Sequence, residues 1–344
     1  MPSKKPVITF YGIWPEMKLY VAEKMSRKAG SRSAGKKFEC KIFSEKLLPE
    51  NADPDTEILA TFLESPVNRA VLDKMPNLKL VATLSTGFDH IDLKECVKRG
   101  IVVENVPTYG ENTVAEHAMS LLLGLTRKLF QSVKKTKEGV YDFHGLRGVD
   151  LQGKTVGVIG TGHIGAHFIK MVFGFDVNII AYDKFPNKDL IKKFKVKYVP
   201  LNTLLKKSDI ISLHTPLLPT TFHLINKDNI KLMKKGSFLI NTARGALIEP
   251  EALAMALENN QLAGAGLDVL EDENLIQNHE QVVNCGDKCK LKTTVLNEII
   301  IDHPNAIVTP HNAFNSTEAL QRIIDVTVEN VIAFTKGKVQ NSIK

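Results

Sequence analysis

Cysteine is scarce in this chain: Cys40, Cys96, Cys285 and Cys289 are the only four in 344 residues. Spread so thinly they make no disulfide framework, and a reducing, cytoplasmic setting is expected. Long apolar runs are missing too. The longest uncharged one, Ala118 to Leu125, is less than half of the roughly 18 residues that a membrane span needs. Met1 to Pro6 lead straight into the strand-like Val7–Tyr11, without the apolar core or cleavage pattern of a signal peptide. Internal repeats, low-complexity tracts and Pro/Gly-rich linkers are likewise wanting, which excludes solenoid, collagenous and disordered chains. What remains is an ordinary globular composition, 43% apolar and 24% charged. At this length one hydrophobic core rarely suffices, so two domains are expected.

The net charge is +7, but the lysines are scattered. The densest groups, Lys134-Lys135-Lys137, Lys192-Lys193-Lys195-Lys197 and Lys234-Lys235, lack interleaved aromatics and read as solvated surface. Neither a nucleic-acid nor a membrane partner is expected; the positive field favours a small anionic substrate or cofactor.

Two series of short Val/Ile-rich runs alternate with helix-like stretches. The first comprises Val7–Gly12, Phe38–Phe43, Glu57–Phe62, Leu78–Leu84 and Ile101–Val106. The second comprises Thr155–Gly160, Val177–Asp183, Val196–Pro200, Ile210–Pro216, Ser237–Thr242, Ala263–Leu270 and Ala306–Pro310. Continuous rather than alternating apolar runs, spaced widely enough for crossover helices, predict two parallel α/β sheets. Asn112 to Lys134 reads as one helix of about 30 Å, long enough to run from one domain to the other. Ser316 to Lys336 reads as a second amphipathic helix, and the polar stretch Asn274–Lys292 as an irregular surface insertion. The spacing Cys285-x-x-x-Cys289, with only His279 nearby, does not amount to a metal site.

The strongest local signal is Gly160-Thr161-Gly162-His163-Ile164-Gly165, closing a strand and opening a helix. Gly160 permits a tight turn, Gly162 lets a pyrophosphate approach the backbone, and Gly165 allows close packing of helix on strand. Asp183 ends the next strand, where a carboxylate binds ribose hydroxyls and repels a 2′-phosphate. NAD is therefore expected over NADP, although Lys184 beside it softens that preference.

With these residues the sequence resembles the D-isomer-specific 2-hydroxyacid dehydrogenases. Matching segments run in family order along nearly the whole chain: Ser85-Thr86-Gly87-Phe88-Asp89-His90-Ile91-Asp92, Asn105-Val106-Pro107 with Ala115-Glu116-His117, and the glycine loop. After them come Ser212–Leu217, Asn241-Thr242-Ala243-Arg244-Gly245, Gly266-Leu267-Asp268-Val269 and Thr309-Pro310-His311. The resemblance implies an α/β fold of two parallel-sheet domains, Rossmann-like or flavodoxin-like, with a cleft between them. The substrate domain would be residues 1–110 plus 312–344, the NAD domain residues 111–311, and the assembly a homodimer formed through the Asn112–Lys134 region.

The same resemblance implies the chemistry. Arg244 grips the substrate carboxylate, His311 exchanges the proton, and Glu273 orients and charges the imidazole, ahead of its neighbours Glu271 and Asp272. Thr86 and Gly87 offer backbone N–H groups to the carboxylate, and Tyr109 lines the substrate pocket. His163, Ile164, Thr215, Pro216, Thr221, Thr242 and Ala243 contact the cofactor, and Asp268 holds the nicotinamide carboxamide. His117 and His223 receive structural roles only. Phe314, following His311-Asn312-Ala313, together with Tyr109 looks most like the D-lactate dehydrogenases, so the implied reaction is interconversion of pyruvate and D-lactate. Other 2-oxo acids (glyoxylate, hydroxypyruvate, branched-chain) stay open, as does a non-catalytic NAD-sensing protein on the same fold. An acid at position 273 argues against the formate enzymes, which place an amide there.

Overall fold

The structure, a computed structural model, describes residues 5–28, 38–276 and 287–343. The chain divides into two compact units, residues 1–109 with 316–344, and residues 110–315.

The first unit is built on β1 (Val7–Tyr11), β2 (Glu39–Ile42), β3 (Ile58–Thr61), β4 (Leu80–Thr83) and β5 (Val102–Glu104), with α1 (Pro15–Lys28), α2 (Arg69–Leu72) and α3 (Leu93–Lys98) between them. All strands are parallel in the order β2-β1-β3-β4-β5, the flavodoxin-like arrangement. β1, β3 and β4 are buried along their whole length, as strands covered on both faces require. The C-terminal helix Thr317–Thr335, capped by Ser316 at the Ala319 N–H, packs back on α1, β3 and β4.

The second unit continues with α4 (Glu111–Thr126), α5 (Leu129–Lys137), β6 (Thr155–Ile159), α6 (His163–Phe173), β7 (Asn178–Tyr182), α7 (Lys188–Phe194), β8 (Lys197–Tyr198), α8 (Leu201–Lys207) and β9 (Ile210–Leu213). It closes with β10 (Ser237–Asn241), α9 (Pro250–Glu258), β11 (Leu262–Leu267), α10 (Lys288–Asp302) and β12 (Ala306–Val308); the C-terminal helix Thr317–Thr335 is thus α11. Its seven strands lie parallel in the order β12-β11-β10-β9-β6-β7-β8. The order reverses between β6 and β9, and it is outside the carboxyl ends of strands at such a point that α/β sheets bind ligands. The glycine loop leaves β6 there.

Three expectations need correction. The single helix over Asn112–Lys134 is two, broken at Lys128, which takes a left-handed φ of 49°. The Thr126 carbonyl, which a continuing helix would use, accepts the Val149 N–H instead, at 2.9 Å. α4 packs on α6 and on β10 to β12 inside the second unit. Residues 312–315 group with that unit too, because Asp268 binds the Asn312 and Ala313 N–H groups. Finally, the stretch Asn274–Lys292 is not irregular throughout. Asp287 caps the helix α10 through the Cys289 and Lys290 N–H groups, while Cys285 and His279 lie outside the described residues. Among the described residues no helix is long and apolar enough to cross a membrane.

Candidate active site

The glycine cradle follows from backbone geometry. Gly160 has φ +91°, and a Cβ there would lie 2.6 Å from the His214 carbonyl oxygen. A Cβ on Gly165 would lie 2.0 Å from the Gly160 oxygen, so only glycine lets α6 sit against its own loop. Gly162 differs: a Cβ there meets nothing within 4 Å. It starts α6, whose first N–H groups receive no side-chain cap. Open space above an uncapped helix start, with His163 and Ile164 in its first turn, fits a pyrophosphate.

Asp183 follows β7 directly. Its Oδ2 accepts from Thr161 N at 2.6 Å and from Thr161 Oγ1 at 3.0 Å, while Oδ1 accepts from Phe185 N at 2.7 Å. The Tyr198 hydroxyl donates to Thr161 Oγ1 at 2.9 Å, so β8 braces the glycine loop and Asp183 together. Burial pushes the His214 imidazole down to about 3, which removes it as an acid–base candidate.

At the end of β10 the buried Asn241 folds the chain back on itself. Its side chain accepts from Ala243 N at 3.0 Å and donates to the Arg244 carbonyl at 2.9 Å. This brace, which the sequence reading passed over, presents Arg244. Thr242 Oγ1 is buried with no hydrogen-bond partner among the described residues, an acceptor and donor suited to a ligand amide. A Cβ on Gly245 would lie 1.9 Å from the Leu270 carbonyl carbon, so the arginine segment rests directly on the turn leading to Glu273.

That turn brings two of the three expected catalytic side chains into contact. His311 Nδ1 lies 2.5 Å from Glu273 Oε1, and Glu273 Oε2 accepts from Leu270 N at 3.0 Å. Neighbouring Glu271 instead pairs with His223 Nε2 at 2.7 Å, and Asp272 turns the backbone at φ 53°. Burial opposes charging the His311 ring, but the hydrogen bond and charge of Glu273, with Asp268 beyond it, outweigh burial and the nearby Arg244 guanidinium; the pKa is raised. With Nδ1 committed to Glu273, Nε2 is the nitrogen left to meet a substrate oxygen.

Two of the expected cofactor contacts also make hydrogen bonds within the protein. Asp268, 1% exposed, accepts from Thr309 Oγ1, Asn312 N and Ala313 N, and so shapes the His311 loop. The Thr221 hydroxyl donates to the Pro216 carbonyl at 2.7 Å and accepts from Leu218 N at 2.7 Å, closing the turn that follows Thr215. In the first unit, the loop after β4 is held by Thr86 Oγ1 donating to the Val106 carbonyl and Ser85 Oγ donating to the Gly87 carbonyl. The Tyr109 carbonyl accepts from Arg322 at 2.5 Å.

Residues 119–313 match the family described as D-isomer specific 2-hydroxyacid dehydrogenase, NAD binding domain. The chain belongs to the D-isomer-specific 2-hydroxyacid dehydrogenases. It is an oxidoreductase of that family, and its cofactor is NAD. A glyoxylate reductase of Thermofilum pendens is 38% identical over 289 residues, covering 83% of this chain and 80% of that protein. Among solved structures, the pyruvate reductase of Chlamydomonas reinhardtii superposes with a TM-score of 0.84 at 32% identity, covering 97% of both chains. The D-lactate dehydrogenase of Aquifex aeolicus, solved with NAD and lactic acid, gives a TM-score of 0.82 at 34% identity over 96% of each chain.

Proposed function

We propose that this dehydrogenase reduces a small 2-oxo acid, pyruvate foremost, to the D-2-hydroxy acid. The observation that carries the reading is the His311–Glu273 pair, 2.5 Å apart, in the same unit as Arg244 and the glycine cradle. When bound, NADH supplies the hydride for the C2 carbonyl. His311 Nε2 delivers a proton to the carbonyl oxygen, and Glu273 holds the ring in the tautomer and charge state that transfer needs. Arg244 grips the carboxylate through paired N–H donors. Asp183 takes the ribose hydroxyls, the first turn of α6 takes the pyrophosphate, and Thr215, Pro216, Thr242 and Ala243 line the cofactor.

Pyruvate is favoured because Phe314 follows the His311 loop and because two structural relatives carry lactate or pyruvate in their names. The Thermofilum relative supports glyoxylate as a second reading. One methylene in an apolar pocket discriminates by only about 1–3 kcal/mol, so the substrate must be measured. Steady-state NADH oxidation with pyruvate, glyoxylate, hydroxypyruvate and 2-oxoisocaproate is expected to give the highest kcat/KM for pyruvate. A higher value for glyoxylate would transfer the assignment to that acid.

The reading includes a cytoplasmic homodimer. The scarcity of cysteine suits a reducing compartment. Leu129, Phe130 and Val133 expose an apolar face on α5, continued by Tyr141 and Phe143, and a second copy of the chain suits it.

A further inference from the structure

Most of what α4 buries is apolar: Ala115, Ala118, Leu121 and Leu122 pack into the second unit. His117, half-buried on the same helix, is polar. Its Nε2 lies 3.0 Å from Thr309 Oγ1 and 3.4 Å from Asp268 Oδ1. Thr309 Oγ1 donates its single proton to Asp268 Oδ1 at 2.5 Å, so toward His117 it can only accept, and Nε2 is the protonated nitrogen.

Asp268 in turn holds the loop that carries His311. Asn312 N and Ala313 N donate to its carboxylate, each at 2.8 Å, and His311 N donates to its carbonyl at 2.8 Å. Between these bonds His311 takes φ +51°, a left-handed conformation that a non-glycine residue keeps only when its surroundings impose it.

We propose that His117 is a positioning residue for proton transfer: through Thr309 it steadies Asp268, and thereby the loop conformation that aims the His311 ring. The inference rests on the reading of His311 as the proton carrier. His117 touches neither the reacting atoms nor the glycine cradle, so its removal acts on turnover and leaves cofactor binding alone.

The test compares two variants of the full-length protein. His117→Gln keeps an N–H donor at similar reach, whereas His117→Leu keeps bulk without a donor. The leucine variant is expected to lose about tenfold in kcat for oxo-acid reduction, as a small misplacement of a catalytic group does, with KM, NADH affinity by calorimetry and Tm little changed. The glutamine variant is expected to stay within about twofold of the parent, because the donor is restored. Should the leucine variant fail to fold, Thr309→Val, which keeps shape and cuts the link, is expected to show the same kcat-selective loss. Undiminished kcat in the leucine variant, equal losses in both His117 variants, or a loss that tracks NADH affinity or Tm would overturn the inference. His311→Gln serves as the control. If it retains turnover, the underlying acid–base reading has failed; if it is inert beside an unimpaired His117→Leu, the positioning role alone has failed.

Discussion

Burial opposes charging the imidazole at 311, but Glu273 and Asp268 together outweigh it, so its pKa is raised. Glu273 favours the imidazolium through both a hydrogen bond and its charge. Reduction consumes the proton of that imidazolium, so kcat/KM for the oxo acid holds at low pH and falls as pH rises through the raised pKa. Glu273→Gln removes the charge while keeping an acceptor, and its descending limb is expected at lower pH than in the parent. An unmoved limb would show that Glu273 does not set the titration. The glycine turn and the acid–imidazole contact were legible in advance because each chemistry accepts few alternatives. The hold of Asp268 on the His311 loop was not legible, for the complementary reason. A carboxylate serves equally well as a ligand contact or a loop clamp, and only the N–H groups around it distinguish the two uses.

Among the elements, β5 holds a buried acid that no reading of the sequence marked as unusual. Glu104 is fully buried; one carboxylate oxygen accepts the Gln340 N–H at 2.7 Å and the other has no partner among the described residues. The C-terminal tail lies beside it, through Asn105 N to the Asn341 carbonyl and Ile343 N to the Val103 carbonyl. Burial pushes the Glu104 pKa up to about 7, the Gln340 N–H acting in the opposite direction. The fold thus prefers the protonated acid. Its contribution is complete below the unfolded pKa of about 4.5 and is lost as pH rises through about 7, a difference of about 3 kcal/mol. Glu104→Gln is neutral at every pH, so its Tm is expected to fall less than the parent's between pH 5 and pH 8. Parallel declines would refute the assignment. Helix α10 escaped notice because its pattern is inverted: Thr294, Asn297 and Ile300 face inward, while Leu291, Val295 and Ile299 are exposed. Asn297 is buried because its amide donates to the Glu271 carbonyl at 2.7 Å, a long-range bond that periodicity does not reveal.

For the molecule as a whole, the chain leaves its first unit at residue 109 and returns at 316, so the second unit is an insertion into the first. The proposed homodimer would cover exposed apolar side chains on α5, with Leu129 at 55% and Val133 at 46%. Leu129→Glu with Val133→Glu is expected to shift sedimentation from dimer to monomer while the far-UV dichroism stays native. A parent protein that sediments as a monomer would discard the homodimer.

Strand positions and the order of the motifs followed from composition and spacing, because buried parallel strands demand unbroken apolar runs and phosphate cradles demand glycine. Folding alone decided where α4 stops and what Asp268 and His117 hold. Those outcomes depend on carbonyls, N–H groups and carboxylates that lie far apart along the chain, and their pairing exists only once the backbone has brought them within hydrogen-bonding distance.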